Sequence, residues 1–409
     1  MLGGALVGHV CALLPNAAPL HALTTSKAMF QRSSLLILEA SFDFEVDDMF
    51  EEWEELTADD LKLAAELEAA LKGDMLQRAE MEQRFLGQGE PLPLCQKQTA
   101  SAAAATLAAS GVIRLRAYGP EVAANLRSYV LQERLDAMGP AGKQTAMDER
   151  FSNVLTPESA DGTATRWDLR LPLEPPVVAA LTEMLGGESQ LGKVLEEAAG
   201  GAEAELWELA ALISAPGAAA QVVHSDTLAA SGPGLLHTAF VALQPVSREL
   251  GPTRFLPFTH VDTAAHVRLE ATGDVTGLLE DGSPPRSFVA LLDTGDAAVY
   301  DGLLLHCGGA NTADAADCCD GVAGGSGVAS DTGDANGDGL RVLFYFTFRH
   351  ASRLAEAAVH DPGRSLLPEH SGRITIGMLR ALGTERAVWP PPPMSAAGIS
   401  TRRAHASAQ

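Results

Sequence analysis

Leu206-Trp-Glu-Leu-Ala-Ala-Leu-Ile-Ser214 runs into Ala215-Pro216-Gly217, and the chain then reads Gln221-Val-Val-His-Ser-Asp226. An apolar run cut by Pro-Gly is a segment that ends in a turn. Val222, Val223 and Thr227 give the stretch around His224 the β-branched texture of a strand. Ser231-Gly-Pro-Gly234 marks the next turn, and Leu236–Leu243 follows as a buried strand. Ser287–Leu292, Ala297–Tyr300 and Val342–Phe348 are further short apolar runs set between Gly, Pro and Asp. Short strands punctuated in this way indicate an all-β sandwich or barrel. No glycine-rich phosphate loop opens a helix, so a nucleotide-binding α/β domain is not expected.

Outward from that core the chain divides by composition. Residues 1–38 hold no acid and only Lys27 and Arg32 as cations, which fits an organelle transit peptide or a disordered leader. Acids dominate Glu39–Asp60, yet Val46, Met49, Phe50, Trp53 and Leu56 recur at helical spacing, predicting an amphipathic helix with a solvated acidic face. Leu61, Ala64, Leu67, Leu71 and Met75 carry the pattern toward Phe85, where Gly87–Pro93 breaks it. Residues 39–95 therefore read as an acidic helical accessory segment. A larger domain is expected over 100–380, its β core beginning near residue 203, with 381–409 a loose tail. Ser101–Ala109 predicts a helix closed by Gly111, Val112–Leu115 a strand, and Pro120 a helix running toward Ala137. Arg166-Trp-Asp-Leu-Arg170 alternates like an edge strand, with its arginines read as surface residues in preference to groups that reach an anionic substrate.

Ala313–Gly339 is almost wholly Ala, Gly, Asp, Ser and Cys, too poor in apolar groups to fold, and reads as a disordered insertion. Inside it Asp334-Ala-Asn336-Gly-Asp338-Gly339 imitates the start of a calcium-binding loop. Tyr345 stands where the twelfth-position Glu belongs and no helices flank the run, so no calcium site is expected in 331–345.

A formal charge of −24 argues against nucleic acid or an anionic membrane surface as partner. The 46% apolar content allows a sizeable core, and no run of eighteen apolar residues predicts a membrane span. Cys11, Cys95, Cys307, Cys318 and Cys319 are odd in number and lack zinc spacing, which suggests a reducing compartment, cytoplasmic or organellar.

The Gln221–Asp226 strand also carries chemistry. Residues two apart on a strand share a face, so His224 and Asp226 converge on one spot. A partner stands in Gly295-Asp-Ala-Ala-Val-Tyr300-Asp-Gly-Leu-Leu-Leu-His306-Cys-Gly-Gly-Ala-Asn311-Thr312, where His306 follows an apolar strand and precedes two glycines. Two histidines and a carboxylate with open positions suit the Fe(II) of non-haem oxygenases.

Three ordered motifs resemble the phytanoyl-CoA dioxygenase family of Fe(II)/2-oxoglutarate-dependent oxygenases. They are Pro216-Gly217 leading into Gln221-x-x-His224-x-Asp226, Ala239–Leu243 followed by Gly251-Pro-Thr-Arg-Phe-Leu-Pro257-x-x-His260, and Gly295-Asp296 through His306 to Asn311, then Arg341 heading an aromatic strand. The resemblance implies a mainly β fold, a double-stranded β-helix or jelly roll with flanking and N-terminal helices. It implies His224, Asp226 and His306 as iron ligands and Arg341 on the distal carboxylate of 2-oxoglutarate, a role suited to the planar fork of arginine. The family's arginine follows the distal histidine closely; here Arg341 stands 35 residues after His306, and removing the insertion restores the spacing. Arg349 is the fallback. Thr312 and Thr238 are candidate cosubstrate contacts, and Gln221 and Asn311 candidate orienting groups, although each could as well satisfy backbone. His237, His260 and His266 read as structural. The implied reaction hydroxylates a small organic or acyl-type molecule with succinate and CO2 as co-products; Asp226 fills the position that halogenases leave for halide. A cupin-like metal-dependent hydrolase or isomerase without 2-oxoglutarate, and a silent jelly-roll binding protein, are the competing readings.

Overall fold

The computed structural model describes residues 73–95, 98–138, 150–152, 165–273, 275–313, 339–354, 364–372 and 374–381. The expected leader, the helix over 39–60, most of the 313–339 insertion with its calcium-like loop, and the tail beyond 381 lie outside them.

Alternation builds the large sheet. Its strands are β2 (Val112–Arg116), β3 (Phe151–Ser152), β4 (Arg166–Arg170), β5 (Glu205–Ser214), β6 (Leu236–Ala242), β9 (Asp296–Asp301) and β11 (Arg341–Arg349), in the order β2-β9-β6-β11-β5-β4-β3. Along β11, Val342, Phe344, Phe346 and Phe348 point to one face, where they join a core of helical residues, and Leu343 and Tyr345 point to the other. A strand buried on both faces reads as a continuous apolar run. Each phenylalanine of the outer row is fully buried and contributes roughly 2 kcal/mol.

Helices cover that outer face: α2 (Ala100–Ser110), α3 (Pro120–Met138), α4 (Pro175–Leu185), α5 (Gln190–Ala198) and α7 (Ile376–Ala381) all supply residues to the same core. Thr99 caps α2 by accepting the Ala102 N–H, and Gly111 ends it at φ 80°. A Cβ on Gly111 would also strike the His260 ring and Leu304, so glycine is needed for both the turn and the close approach. Among the described residues the remaining α-helices are α1, over 73–86, and α6 (Thr263–Thr272).

The small sheet runs β1-β8-β7-β10, from β1 (Glu90–Pro91), β7 (Thr253–Phe255), β8 (Phe288–Val289) and β10 (His306–Gly308). A lone antiparallel bridge between His224 and His306 adds the Gln221–Asp226 segment to its edge. Phe255, Phe288, Phe240, Tyr300 and Tyr345 fill the space between the sheets, and Leu86, Val223, Leu256, Leu305 and Cys307 form a second cluster behind the small one. The large sheet is antiparallel throughout, the small one is antiparallel apart from the parallel pair β1–β8, and two such facing sheets make a jelly roll. The helical share is larger than a mainly β expectation suggests, because helices cover one whole sheet face.

One expectation is corrected. Arg166–Arg170 is not an edge strand: β4 lies between β3 and β5, and Arg166 is 3% exposed. Its Trp167 and Leu169 join the helical core, so the polar residues of the alternation face the barrel interior and not water.

Candidate active site

Strand geometry gathers three side chains at one end of the barrel interior. One ligand atom each from His224, Asp226 and His306 lies within 4.8 Å of the others. Asp226 Oδ1 is 3.9 Å from His224 Nε2 and 3.5 Å from His306 Nε2. The other ring nitrogens are spoken for. His224 Nδ1 donates to Val222 O and His306 Nδ1 to Leu304 O, both at 2.9 Å. A carbonyl only accepts, so each Nδ1 carries the proton and each Nε2 offers its lone pair inward. Burial, followed by the neighbouring His306, pushes His224 down to about 4 and keeps it neutral, the form that binds metal. Tyr300 donates to Asp226 Oδ2 at 2.9 Å, which leaves Oδ1 turned toward the histidines. Burial and the Asp226 charge hold the Tyr300 phenol well above its ordinary value, so it remains a donor. The donor set fits a borderline divalent ion such as Fe(II).

At the other end three polar residues sit abreast. Arg341 pairs with Ser214 across β11 and β5, and Ser214 pairs with Arg166 across β5 and β4. Both guanidiniums are buried. Arg341 donates to Gly251 O and, at 3.0 Å, to Ser214 Oγ, while its Nε has no acceptor. Arg166 Nη2 donates to Ala219 O at 2.9 Å and Gly309 O at 3.0 Å; its Nε and Nη1 have none. Neither forms an ion pair with a carboxylate among the described residues. Burial lowers Arg166 to about 10, and burial together with the Arg166 charge lowers Arg341 well below its ordinary value. Two like charges in a dry interior with unused N–H groups favour an anion between them. A Cβ on Gly308 would strike Arg166 Nη1 and Gln221 Oε1, so the guanidinium lies hard against the strand that carries His306.

The remaining expected residues divide. Gln221 Oε1 accepts the Gly308 N–H at 2.9 Å and braces the His306 strand. Thr238 is buried and hydrogen-bonds Thr347 at 2.9 Å, in the same interstrand row as Tyr300. Asn311 ties Ser214 O at 3.0 Å to Gly339 O at 2.9 Å, which places it beside Arg341 as an organiser of backbone. Thr312 departs from expectation: it is exposed and bonds Glu249 O, because its backbone N–H is already turned to that carbonyl. Arg349 shares the inward face of β11 but sits at its far end, 2.5 Å from Glu205 and stacked on Trp207, and so is already neutralised. His260 and His266 bond the carbonyls of Ala108 and Thr259.

Sequence reasoning set Arg166 at the surface in preference to an anion contact, and missed Tyr300 and Asp168. Asp168 faces the interior two residues after Arg166, accepts from Tyr345 at 2.9 Å and from Ser365, and is pushed up to about 6 by burial, with those hydrogen bonds working against the shift. The phenol of Tyr300 had a signal, since alternation along β9 puts Ala298 and Tyr300 on the face opposite Ala297 and Val299.

The family model described as phytanoyl-CoA dioxygenase (PhyH) matches residues 121–316 of the chain, and that family uses Fe(II) and 2-oxoglutarate. No curated protein matches the chain. Solved structures similar to it include AviO1 from Streptomyces viridochromogenes Tue57, at 16% identity and TM-score 0.40, covering 61% of this chain and 94% of that one. The non-heme alpha ketoglutarate dependent epimerase SnoN from nogalamycin biosynthesis is similar at 18% identity and TM-score 0.40, over 62% and 83% of the two chains. The carbocyclase SnoK from the same biosynthesis is similar at 15% and 0.41, over 62% and 87%.

Proposed function

We propose that this chain is an Fe(II)- and 2-oxoglutarate-dependent oxygenase that hydroxylates a small organic or acyl-type substrate, releasing succinate and CO2. One observation carries the reading: a triad of metal-ligating atoms and a pair of unneutralised buried arginines share one barrel interior. His224 Nε2, His306 Nε2 and Asp226 Oδ1 hold the ion, whose bound form supplies the redox chemistry of O2 activation. Arg341 and Arg166 take the distal carboxylate of 2-oxoglutarate, Arg341 as the residue in register with Ser214 and Arg166 as its neighbour across β5. A hydrolase or isomerase without a dicarboxylate has no use for such a pair, which disfavours that alternative. Asp226 retains the carboxylate that a halogenase gives up.

The test is direct. Purified protein supplied with Fe(II), ascorbate and 2-oxoglutarate is expected to release succinate. Arg341→Ala is expected to raise the KM for 2-oxoglutarate by about thirtyfold or more, the loss of a buried charge-assisted contact. Absence of succinate across a broad substrate panel, with 2-oxoglutarate affinity indifferent to Arg341→Ala, removes the proposal.

A further inference from the structure

We infer that α1, which lies before the family segment, braces the metal centre from behind, and that Glu82 is its positioning residue. The inference rests on the metal reading of His224, Asp226 and His306.

Glu82 is completely buried, an unusual state for a carboxylate. Its Oε2 accepts the Val223 N–H at 2.7 Å, and its Oε1 accepts from Arg78 at 2.9 Å. Val223 is the residue before His224. The Gln221–Asp226 segment lies at the open edge of the small sheet, held to β10 by the isolated bridge (His224 N–H to His306 O at 2.9 Å, His306 N–H to His224 O at 2.8 Å) and by the Gln221 bonds to Gly308. An outward N–H at such an edge needs an acceptor, and Glu82 is that acceptor. The next helical residue touches the other ligand strand, because Gln83 Nε2 lies 3.2 Å from the sulfur of Cys307, the residue after His306. Consecutive residues of one helix thus hold the neighbour of each histidine ligand.

The helix is itself held in place. Leu86 packs with Val223, Leu305 and Cys307 behind the small sheet. Arg254, on β7 beside β10, donates to Gly87 O at 2.6 Å and Leu86 O at 3.3 Å, a cation on the carbonyls at the helix end. Arg248 donates to Gln88 O at 2.8 Å, fixing the turn that follows. Gly89 sits in that turn at φ 65°, where a Cβ would lie 2.7 Å from Val289 and 2.9 Å from Arg254. An apolar side chain at position 82 could cover the sheet edge but could not accept the Val223 N–H. The carboxylate therefore fixes the backbone that aims His224, acting through Val223 and without reaching the ion.

The experiment titrates the metal-free full chain with Mn(II) by calorimetry and with Co(II) by its ligand-field bands. Glu82→Ala is expected to weaken Mn(II) binding on the order of tenfold and to shift the Co(II) bands, as loss of a group that orients a ligand does. Glu82→Gln keeps an acceptor for Val223 and is expected to restore both readouts to within about threefold of wild type. A folded Glu82→Ala protein with wild-type affinity and bands overturns the inference. Should that variant fail to fold, Gln83→Leu carries the test: weakening by about threefold or more supports the brace, and an unchanged titration overturns it. Wild-type protein that takes up neither ion sinks the metal reading itself, a result distinct from variants that bind as wild type does.

Discussion

The two ends of the barrel interior leave hydrogen-bonding capacity unused in opposite senses. At the metal end every surplus donor has been assigned: both Nδ1–H groups go to carbonyls and Tyr300 goes to Asp226, so that only lone pairs face one another. At the arginine end Gly251 O, Ser214 Oγ, Ala219 O and Gly309 O take Nη donors of Arg341 and Arg166, and N–H groups are left over. Buried polar groups in a stable core ordinarily meet each other. Here lone pairs and donors sit in separate groups on neighbouring strands of one interior, so that one group complements a cation and the other an anion. A dicarboxylate bound together with a metal ion would meet both.

The two ends can be separated by substitution. Breaking the cation end has the largest expected effect: His224→Ala removes one of three ligands and lowers Mn(II) affinity by more than about a hundredfold in calorimetry, beyond the loss seen for groups that merely orient a ligand. Next comes the anion end. Arg166→Ala is expected to raise the 2-oxoglutarate KM by about tenfold, the loss of a charge-assisted hydrogen bond, while leaving Mn(II) affinity unchanged. If Mn(II) affinity falls in parallel, the ends are not independent. Tyr300→Phe frees Asp226 Oδ2 without disturbing the ring packing and should weaken Mn(II) by several-fold to about tenfold, with 2-oxoglutarate KM unaltered once metal is saturating.

The smallest effect lies between the ends, at Asp168. Its carboxyl, ordinarily near 3.8, is pushed up to about 6 by burial. Between about pH 4 and 6 the folded chain keeps a proton that the unfolded chain has released, so this group lowers stability as pH rises through that window and adds no further slope above it. Asp168→Asn is expected to flatten that decline in thermal midpoints taken from pH 4 to 7. A midpoint series parallel to wild type contradicts the burial assigned to this carboxyl.

What was legible in the sequence follows from periodicity. His224 and Asp226 share a face by their spacing, and turn residues bound most of the barrel strands, so the pairing of these two side chains and the β core could be read from the sequence. The polarity of Arg166-Trp-Asp-Leu-Arg170 was also readable, but its direction was not. A period-two alternation is the same whether its polar face meets water or a polar barrel interior, and only tertiary structure says that Trp167 and Leu169 face helices. Glu82 was hidden for a related reason. A helix rich in acids reads as solvated, and nothing local marks the one carboxylate that lands on the backbone of a strand far along the chain.

Asn311 has a consequence for how this chain can vary. Its side chain accepts the Ala313 N–H at 3.1 Å and donates to Gly339 O at 2.9 Å, so the segment between them leaves and re-enters at a single riveted point. The register of β11, and with it the position of Arg341, is set on the barrel side of that rivet. Whatever length of chain joins Ala313 to Gly339, its two described ends are fixed by this one amide beside Arg341.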